Sequence, residues 1–347
     1  MRDLKITFLI FLFVFVNCFQ LLAQREYFRD IHKAYELDSV KKVKITSRFG
    51  SFHVVNDCVD SVRFDVRLSI NSQSEEVAEK LLDLIEVQWD SIVPEVGAHT
   101  VIDPLFRPKE GFSIDFRIAV PADCELDFEL GFADIFIDSL QAPGKFILEH
   151  GSFEGKYLEF PEDNPGVFDL AYSKVRLNDF SKARVNANFS KVFAGTGNEL
   201  QIEGSYSGWN LDSVQNINGI SANDGFRLQW VDDFNVAASR TNFEVRSIGR
   251  RLKFTNDYGS CIVNGFSPEF EKLELENKYG DVVINVSKLT DVFYWISTFQ
   301  SNVLIPERME IHKDILEGRT IFQSDSKIPG APVIQINSDY GAVELAF

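Results

Sequence analysis

From Phe254 to Ile284 the chain states one pattern twice: an apolar strand, a polar step, an aromatic residue, a small residue, then an alternating strand. Tyr258-Gly259 leads into Cys261 and Val263, and Tyr279-Gly280 into Val282 and Ile284. With the small residue as position zero, the pattern recurs at Gly50, Ala133, Gly151, Ser173, Ser190, Ser207, Asp224, Thr241, Gly259, Gly280, Gln300 and Gly341. From Ala133 to Gln300 the steps are 18, 22, 17, 17, 17, 17, 18, 21 and 20 residues. The last step, 41 residues, leaves room for a degraded copy around Thr320, with Ile315 and Phe322. Two residues after zero, only Asn302 breaks an apolar column. Five residues before zero the column includes Phe168, Val185, Ile202, Phe254, Leu275, Trp295 and Ile336. Polar residues separate these columns, so the period is two on both sides of a corner and each unit is strand, corner, strand.

A unit of this length has no room for a crossover helix. It buries about four side chains, each contributing roughly 1.5–3 kcal/mol, against roughly 1–2 kcal/mol per residue of backbone ordering. One unit alone cannot fold, but stacked units complete one another's hydrogen bonds. The spacing predicts a mainly β protein: a β-solenoid, parallel β-helix-like, with two short strands per rung of ~17–22 residues. The competing arrangement is an antiparallel meander with the aromatic–glycine pairs as hairpin turns.

The unit at Val43–Val54 stands 83 residues before the next copy, so something is inserted. Val62 to Ile70, Val87 to Val93 and Phe112 to Val120 read as strands. Ser72 to Glu75 has capping-box spacing, and Val77, Leu81, Leu84 and Ile85 fall on one helical face. Residues 24–42 read as a polar lead-in. The expected organisation is a signal peptide over 1–23, a small α+β N-terminal capping unit over 24–125, and the repeat domain over 126–347. The capping unit would cover the exposed strand edges of the first rung. The last strand, ending at Phe347, would leave an edge open to self-association.

The leader has Arg2 and Lys5 before an apolar run from Ile6 to Val16, and a small residue, Ala23, before Gln24. An uncleaved anchor is the alternative reading. No other apolar run reaches 18 residues. With 52 Asp and Glu against 35 Lys and Arg, the net charge is −17, which argues against nucleic acid and anionic membrane surfaces as partners. Cys58, Cys124 and Cys261 remain after the leader. Cys261 sits in an inward column as a buried hydrophobe, and a Cys58–Cys124 bridge is open in an oxidising compartment.

The helix segment SEEVAEKLLDLIEV, the stretch FRIAVPADCELDFEL and the repeated ENKYGDVVI and NSDYGAVEL resemble a bacterial envelope family of adhesin-like proteins with β-strand repeats. That family is related to the head domains of auto-transporter-like adhesins. The resemblance implies a β-solenoid, an exported location in the periplasm or on the surface of a Gram-negative cell, and no catalytic residues or cofactor.

Candidate chemistry is sparse. The five histidines, His32, His53, His99, His150 and His312, have no partners at metal-ligand spacing. Glu129, Asp169, Glu203 and Glu276 recur four residues before zero, as a solvated face or as the acids of a carbohydrate-active β-helix enzyme. The corner aromatics form the strongest column of large side chains: Phe49, Phe132, Tyr172, Phe189, Tyr206, Tyr258, Tyr279, Phe299 and Tyr340. Pointing inward they are a core ladder; pointing outward they are a binding stripe for a glycan or protein. Asp-Ser followed by an aliphatic residue at Ser39, Ser61, Ser91, Ser139 and Ser213 is similar to an O-glycosylation acceptor pattern of exported proteins, or is simple turn chemistry. The function these features favour is non-enzymatic adhesin-like binding or scaffolding. The alternatives are the β-helix enzyme and an envelope-stress or sensing accessory that acts through a protein partner.

Overall fold

A computed structural model describes residues 25–57, 60–109, 111–325 and 329–347. The leader and Cys58 fall outside the described residues, and with them the signal-peptide reading and the Cys58–Cys124 pairing. Among the described residues there are 26 strands in one hydrogen-bonded network and one α-helix, Glu75–Leu82.

The middle of the network is parallel and in register with the repeat. Lys174–Asn188 pairs with Lys191–Ser205, which pairs with Gly208–Ala222, then Gly225–Ser239, then Asn242–Asp257. Each of these long strands is the second arm of one rung running through a shallow bend into the first arm of the next. Residue i meets residue i+17 through most of this stretch, as Val175 meets Val192 and Val185 meets Ile202. The antiparallel meander is therefore corrected: antiparallel pairs occur only toward the two ends.

Apolar columns face inward because one pleated face must leave water. Phe168, Val185, Ile202, Val236, Phe254, Leu275 and Ile336 are buried on the first arm, and Val175, Val192, Trp209, Phe226, Phe243, Cys261, Val282 and Val343 on the second. Burial pushes the Cys261 thiol far above its ordinary pKa, so it stays an inert hydrophobe. Volumes compensate between neighbouring rungs: Gly197 pairs with Phe180, whose ring occupies the space a Cβ at 197 would need.

The N-terminal segment differs from its expected outline. Arg25–Glu36 is not a lead-in but a 12-residue strand, antiparallel to Ser61–Ser72. Glu95–Ile102 pairs with Lys42–Ser47, and Phe112–Ala119 with Gly50–Val55, each parallel to one arm of the first rung. The helix is capped at Ser74 without a side-chain bond, and it buries Ala78 and Leu82 while Val77 is exposed. The small Ala78, not Val77, lets the helix sit close on the sheet.

The C-terminal segment holds two corrections. First, the rung at Phe293–Phe299 is displaced by one residue. Phe299 pairs with Asp339, and Val303 with Val343. Position zero is therefore Ser301, the apolar column passes through Val303 rather than Asn302, and Ile296 rather than Trp295 is the buried residue beside Ile336. Second, the 41-residue step holds no rung. Ile311–Leu316 and Arg319–Ser324 form an antiparallel hairpin, and Arg319–Ser324 lies against Phe293–Phe299. The chain then returns. Val333–Asp339 sits between Lys272–Lys278 and Phe293–Phe299, and Val343–Ala346 between Val282–Asn285 and Val303–Leu304. The last strand is therefore paired along its whole length on one side and at Val343 and Glu344 on the other, not left as the open edge expected.

Candidate functional site

The corner decides where the aromatic column points. Strict alternation would turn the residue before zero inward. Instead it adopts the left-handed region in successive rungs: φ is 52° at Tyr172, 50° at Phe189, 53° at Tyr206, 61° at Tyr258, 54° at Tyr279 and 59° at Tyr340. This turn shifts the alternation by one residue. Asn188 and Phe189 both face out, and Ser190 faces in. A side chain in this region costs about 1–3 kcal/mol. Two sets of contacts offset it. The backbone N–H of each corner aromatic donates to the neighbouring rung, as Tyr172 does to the Asn188 carbonyl at 3.0 Å and Phe189 to Ser205 at 2.9 Å. The rings stack, at about 0.5–1.5 kcal/mol per pair.

The stack is long. Phe49, Phe132, His150, Tyr172, Phe189 and Tyr206 follow one another with centroids 4.9–5.5 Å apart, and from Phe132 onward the rings lie within 10° of parallel. Asn223 and Arg240 then occupy the corner, and the guanidinium of Arg240 lies 5.9 Å from the Tyr258 centroid. A second stack follows through Tyr258, Tyr279 and Tyr340 at 4.8 Å. About half of each ring from Phe132 onward remains in solvent; Tyr206 is 56% exposed and Tyr340 44%. The rings cover one another's faces, so the stripe presents ring edges.

Phe299 does not belong to the column. It lies edge-on to Tyr340 at 83°, and Gln300 takes the left-handed corner beside it. His150 does belong, although its sequence suggested only a surface residue. Its place 22 residues before Tyr172 was the available signal.

Behind the stripe runs a polar ladder that sequence reading missed. The N–H of Gly151 donates to the Ser173 hydroxyl, Ser173 to Ser190, Ser190 to Ser207, and Ser207 to a carboxylate oxygen of Asp224. Each small zero residue thus satisfies the buried corner N–H of the rung before it. Where the next zero residue is Gly259, buried Asn256 takes over: its Oδ1 accepts from the Thr241 N–H at 3.4 Å while its amide donates to the Thr241 carbonyl, and Asn277 donates to the Gly280 carbonyl. This explains the asparagine of the Asn-x-Tyr-Gly motif. Asp224 is the exceptional member. It is 5% exposed, and its Oδ2 accepts from Trp209 Nε1 at 3.0 Å and the Ser221 hydroxyl at 2.8 Å. Burial raises its pKa, against the lowering effect of the Ser207, Trp209 and Ser221 hydrogen bonds.

The other sequence candidates are dispersed. Glu129, Asp169 and Glu203 share one outward column, but Ile147 and Asn186 separate them, leaving about 10 Å between acids. Among the described residues no group of three His, Cys, Asp or Glu side chains could hold a metal ion. Ser139 and Ser213 occupy the same bend position along one register column, with Tyr157, Asp179 and Thr196 between them, and Ser39, Ser61 and Ser91 lie on the N-terminal segment. All five are exposed or half-exposed. No helix among the described residues is long and apolar enough to cross a membrane.

No protein-family profile and no curated protein matches the chain. Solved structures do, among them the following three. A candidate cell adhesion protein from Clostridium sporogenes shares 9% identity over 92% of this chain and 99% of its own, with a TM-score of 0.20. A candidate adhesin from Bacteroides fragilis shares 10% over 91% and 96%, with a TM-score of 0.30. Another from Parabacteroides distasonis shares 10% over 71% and 97%, with a TM-score of 0.33. At these scores the likeness says nothing of ligand or activity.

Proposed function

We propose that this chain is an exported, non-enzymatic β-solenoid that binds or scaffolds at the bacterial cell envelope. It works in the periplasm or on the surface of a Gram-negative cell. Residues 24–125 serve as the unit that covers one end of the rod formed by 126–347. The observation that carries this reading is the row of half-exposed corner rings, held outward in a strained backbone conformation at rung after rung.

A buried ladder would satisfy the fold without exposing so much aromatic surface, and exposed aromatics mark contact sites. Ring edges carry the positive side of the aromatic quadrupole. They suit the carbonyl and carboxylate oxygens of a protein partner better than the flat face of a sugar, which needs a ring face. The five Asp-Ser serines are accessible and belong to the same reading as O-glycan carriers. Intact mass of protein from its native host tests that point: an unmodified mass removes it.

The main test compares binding of the purified protein to envelope fragments of the host with that of a Tyr172→Ser, Phe189→Ser, Tyr206→Ser variant. The expected result is export in cell fractionation and loss of binding by a variant that still unfolds cooperatively. Undiminished binding by a folded variant would sink the stripe as the contact face.

A further inference from the structure

We propose that the outward face of the second arms carries a binding site for an acidic carbohydrate, a chain bearing carboxylate or sulfate groups. The site lies round the corner from the aromatic stripe and does not use it.

Two register columns define this face. One runs Lys174, Lys191, Gly208, Gly225, Asn242, and the other Arg176, Phe193, Asn210, Arg227, Glu244. Lys174 and Lys191 stand directly beside each other, an arrangement that costs stability when nothing lies between like charges. Lys174, Arg176, Lys191 and Arg227 make no ion pair among the described residues, although the chain carries 52 acidic residues to 35 basic ones. Glu154 and Glu244 bound the patch at its two ends; in between, neither column holds an acid. Asp224 directly precedes Gly225 but its carboxylate is buried, and Asp212 follows two residues after Asn210 on the same arm.

The two glycines turn this charged face into a depression. A Cβ at Gly208 or Gly225 would meet nothing within 4 Å, so both positions open directly to solvent. The hollow has a volume of about 590 Å³ and is rimmed by Lys191, Arg227, Asn210 and Asn242, with Glu244 as the one acid in its lining. That is within the range of small-ligand pockets, roughly 300–1,000 Å³. Glycine weakens a strand interior, so two in succession at outward positions trade stability for space.

The occupant follows from chemistry. The cations require an anion. The side-chain amide of Asn210 offers a paired donor and acceptor of the kind that sugar hydroxyls use, and Asn242, whose Oδ1 accepts from the Ser260 N–H and hydroxyl, adds its Nδ2 donor. An extended peptide recognised by strand addition needs a free edge. Here every strand under the hollow is already paired on both sides.

The test uses the full chain and three polymers: polygalacturonate, dextran sulfate and neutral dextran, with poly-glutamate as the peptide control. Affinity is measured by calorimetry at low and physiological salt. Expected is salt-sensitive binding of an acidic polysaccharide and none of dextran. Lys191→Ala with Arg227→Ala should weaken it roughly tenfold or more. Gly208→Val with Gly225→Val fills the hollow without touching a charge. It should keep or raise the melting temperature, since valine suits an exposed strand position, and still abolish binding. Unchanged binding by either variant, equal binding of dextran or poly-glutamate, or no acidic polysaccharide bound by the wild type each overturns the proposal. A loss of envelope binding in the aromatic variant, with polygalacturonate binding intact, keeps the two sites separate.

Discussion

The backbone N–H of Ser207 donates to Oδ1 of Asp224 at 2.7 Å, across the step from one rung to the next. Serine hydroxyls accept the equivalent bond in the rungs before it. A carboxylate in this column can reach further, and its second oxygen gathers Trp209 and Ser221. The corner ladder is thus fastened to the largest side chain of the core.

Asp224 makes stability depend on pH. Its folded pKa is raised above the unfolded value of about 3.9, so its stabilising contribution is fullest below that value and is lost as pH rises through the folded pKa. The melting temperature of the wild type, compared with Asp224→Ser between pH 3.5 and pH 7, should therefore fall relative to the variant as pH increases. A constant difference would contradict the raised pKa.

Gly204 makes room for that carboxylate: a Cβ there would overlap Asp224 Oδ2. Gly204→Ala should cost about 1–3 kcal/mol in the wild type and much less in Asp224→Ser. A double-mutant cycle by chemical denaturation measures the coupling; additive costs would show that the two positions do not share the space.

Asp233 behaves in the opposite sense. Its hydrogen bonds to Arg251, with help from the charge of Arg250, hold its pKa below the usual carboxylate range. Its contribution is present above the unfolded value and is lost as pH falls through the folded one. Arg251→Ala should lower the melting temperature at pH 7, modestly because Arg251 is half-exposed. The gap to the wild type should narrow as pH falls below the usual carboxylate range.

Ending the chain at residue 330 removes Val333–Asp339 and Val343–Ala346 from between rungs they join. Hydrogen exchange should then show residues 293–324 unprotected, with 166–257 still protected. Retained protection across 293–324 would mean that this part holds itself together.

The repeat was legible because each rung must bury the same few positions, so its apolar columns survive changes of identity from Val192 to Trp209 to Phe226. What stacks on what was less legible. Any parallel rung presents the same columns to its neighbour, so nothing in Val333–Asp339 marks it as belonging beside Lys272–Lys278 rather than after the hairpin. The slip at Gln300 has a local cause: Phe299 imitates a corner aromatic, and the left-handed residue is set by backbone geometry that composition does not record. The direction of the rings was undecided because it depends on that same turn. Arg25–Glu36 looked like a lead-in because Arg29 and Lys33 stand at alternate positions with Tyr27, Ile31 and Tyr35 on its half-buried face. Asp224 drew no notice because its column was read for small size, and only the partners Gly204, Trp209 and Ser221 make a carboxylate suitable there.

The antiparallel strands at the two extremities bear on how large the particle can grow. Parallel rungs with matching columns are chemically able to add without limit, as the layers of an amyloid fibril do. Here growth meets Arg25–Glu36 at one extremity, with six charged side chains among its twelve residues, and the solvent-facing strand Ile311–Leu316 at the other. Both reverse the strand direction; the first presents charge, and the second presents Lys313 and Asp314 beside the exposed Ile315 and Leu316. Further parallel stacking at either extremity would first have to displace these reversed strands.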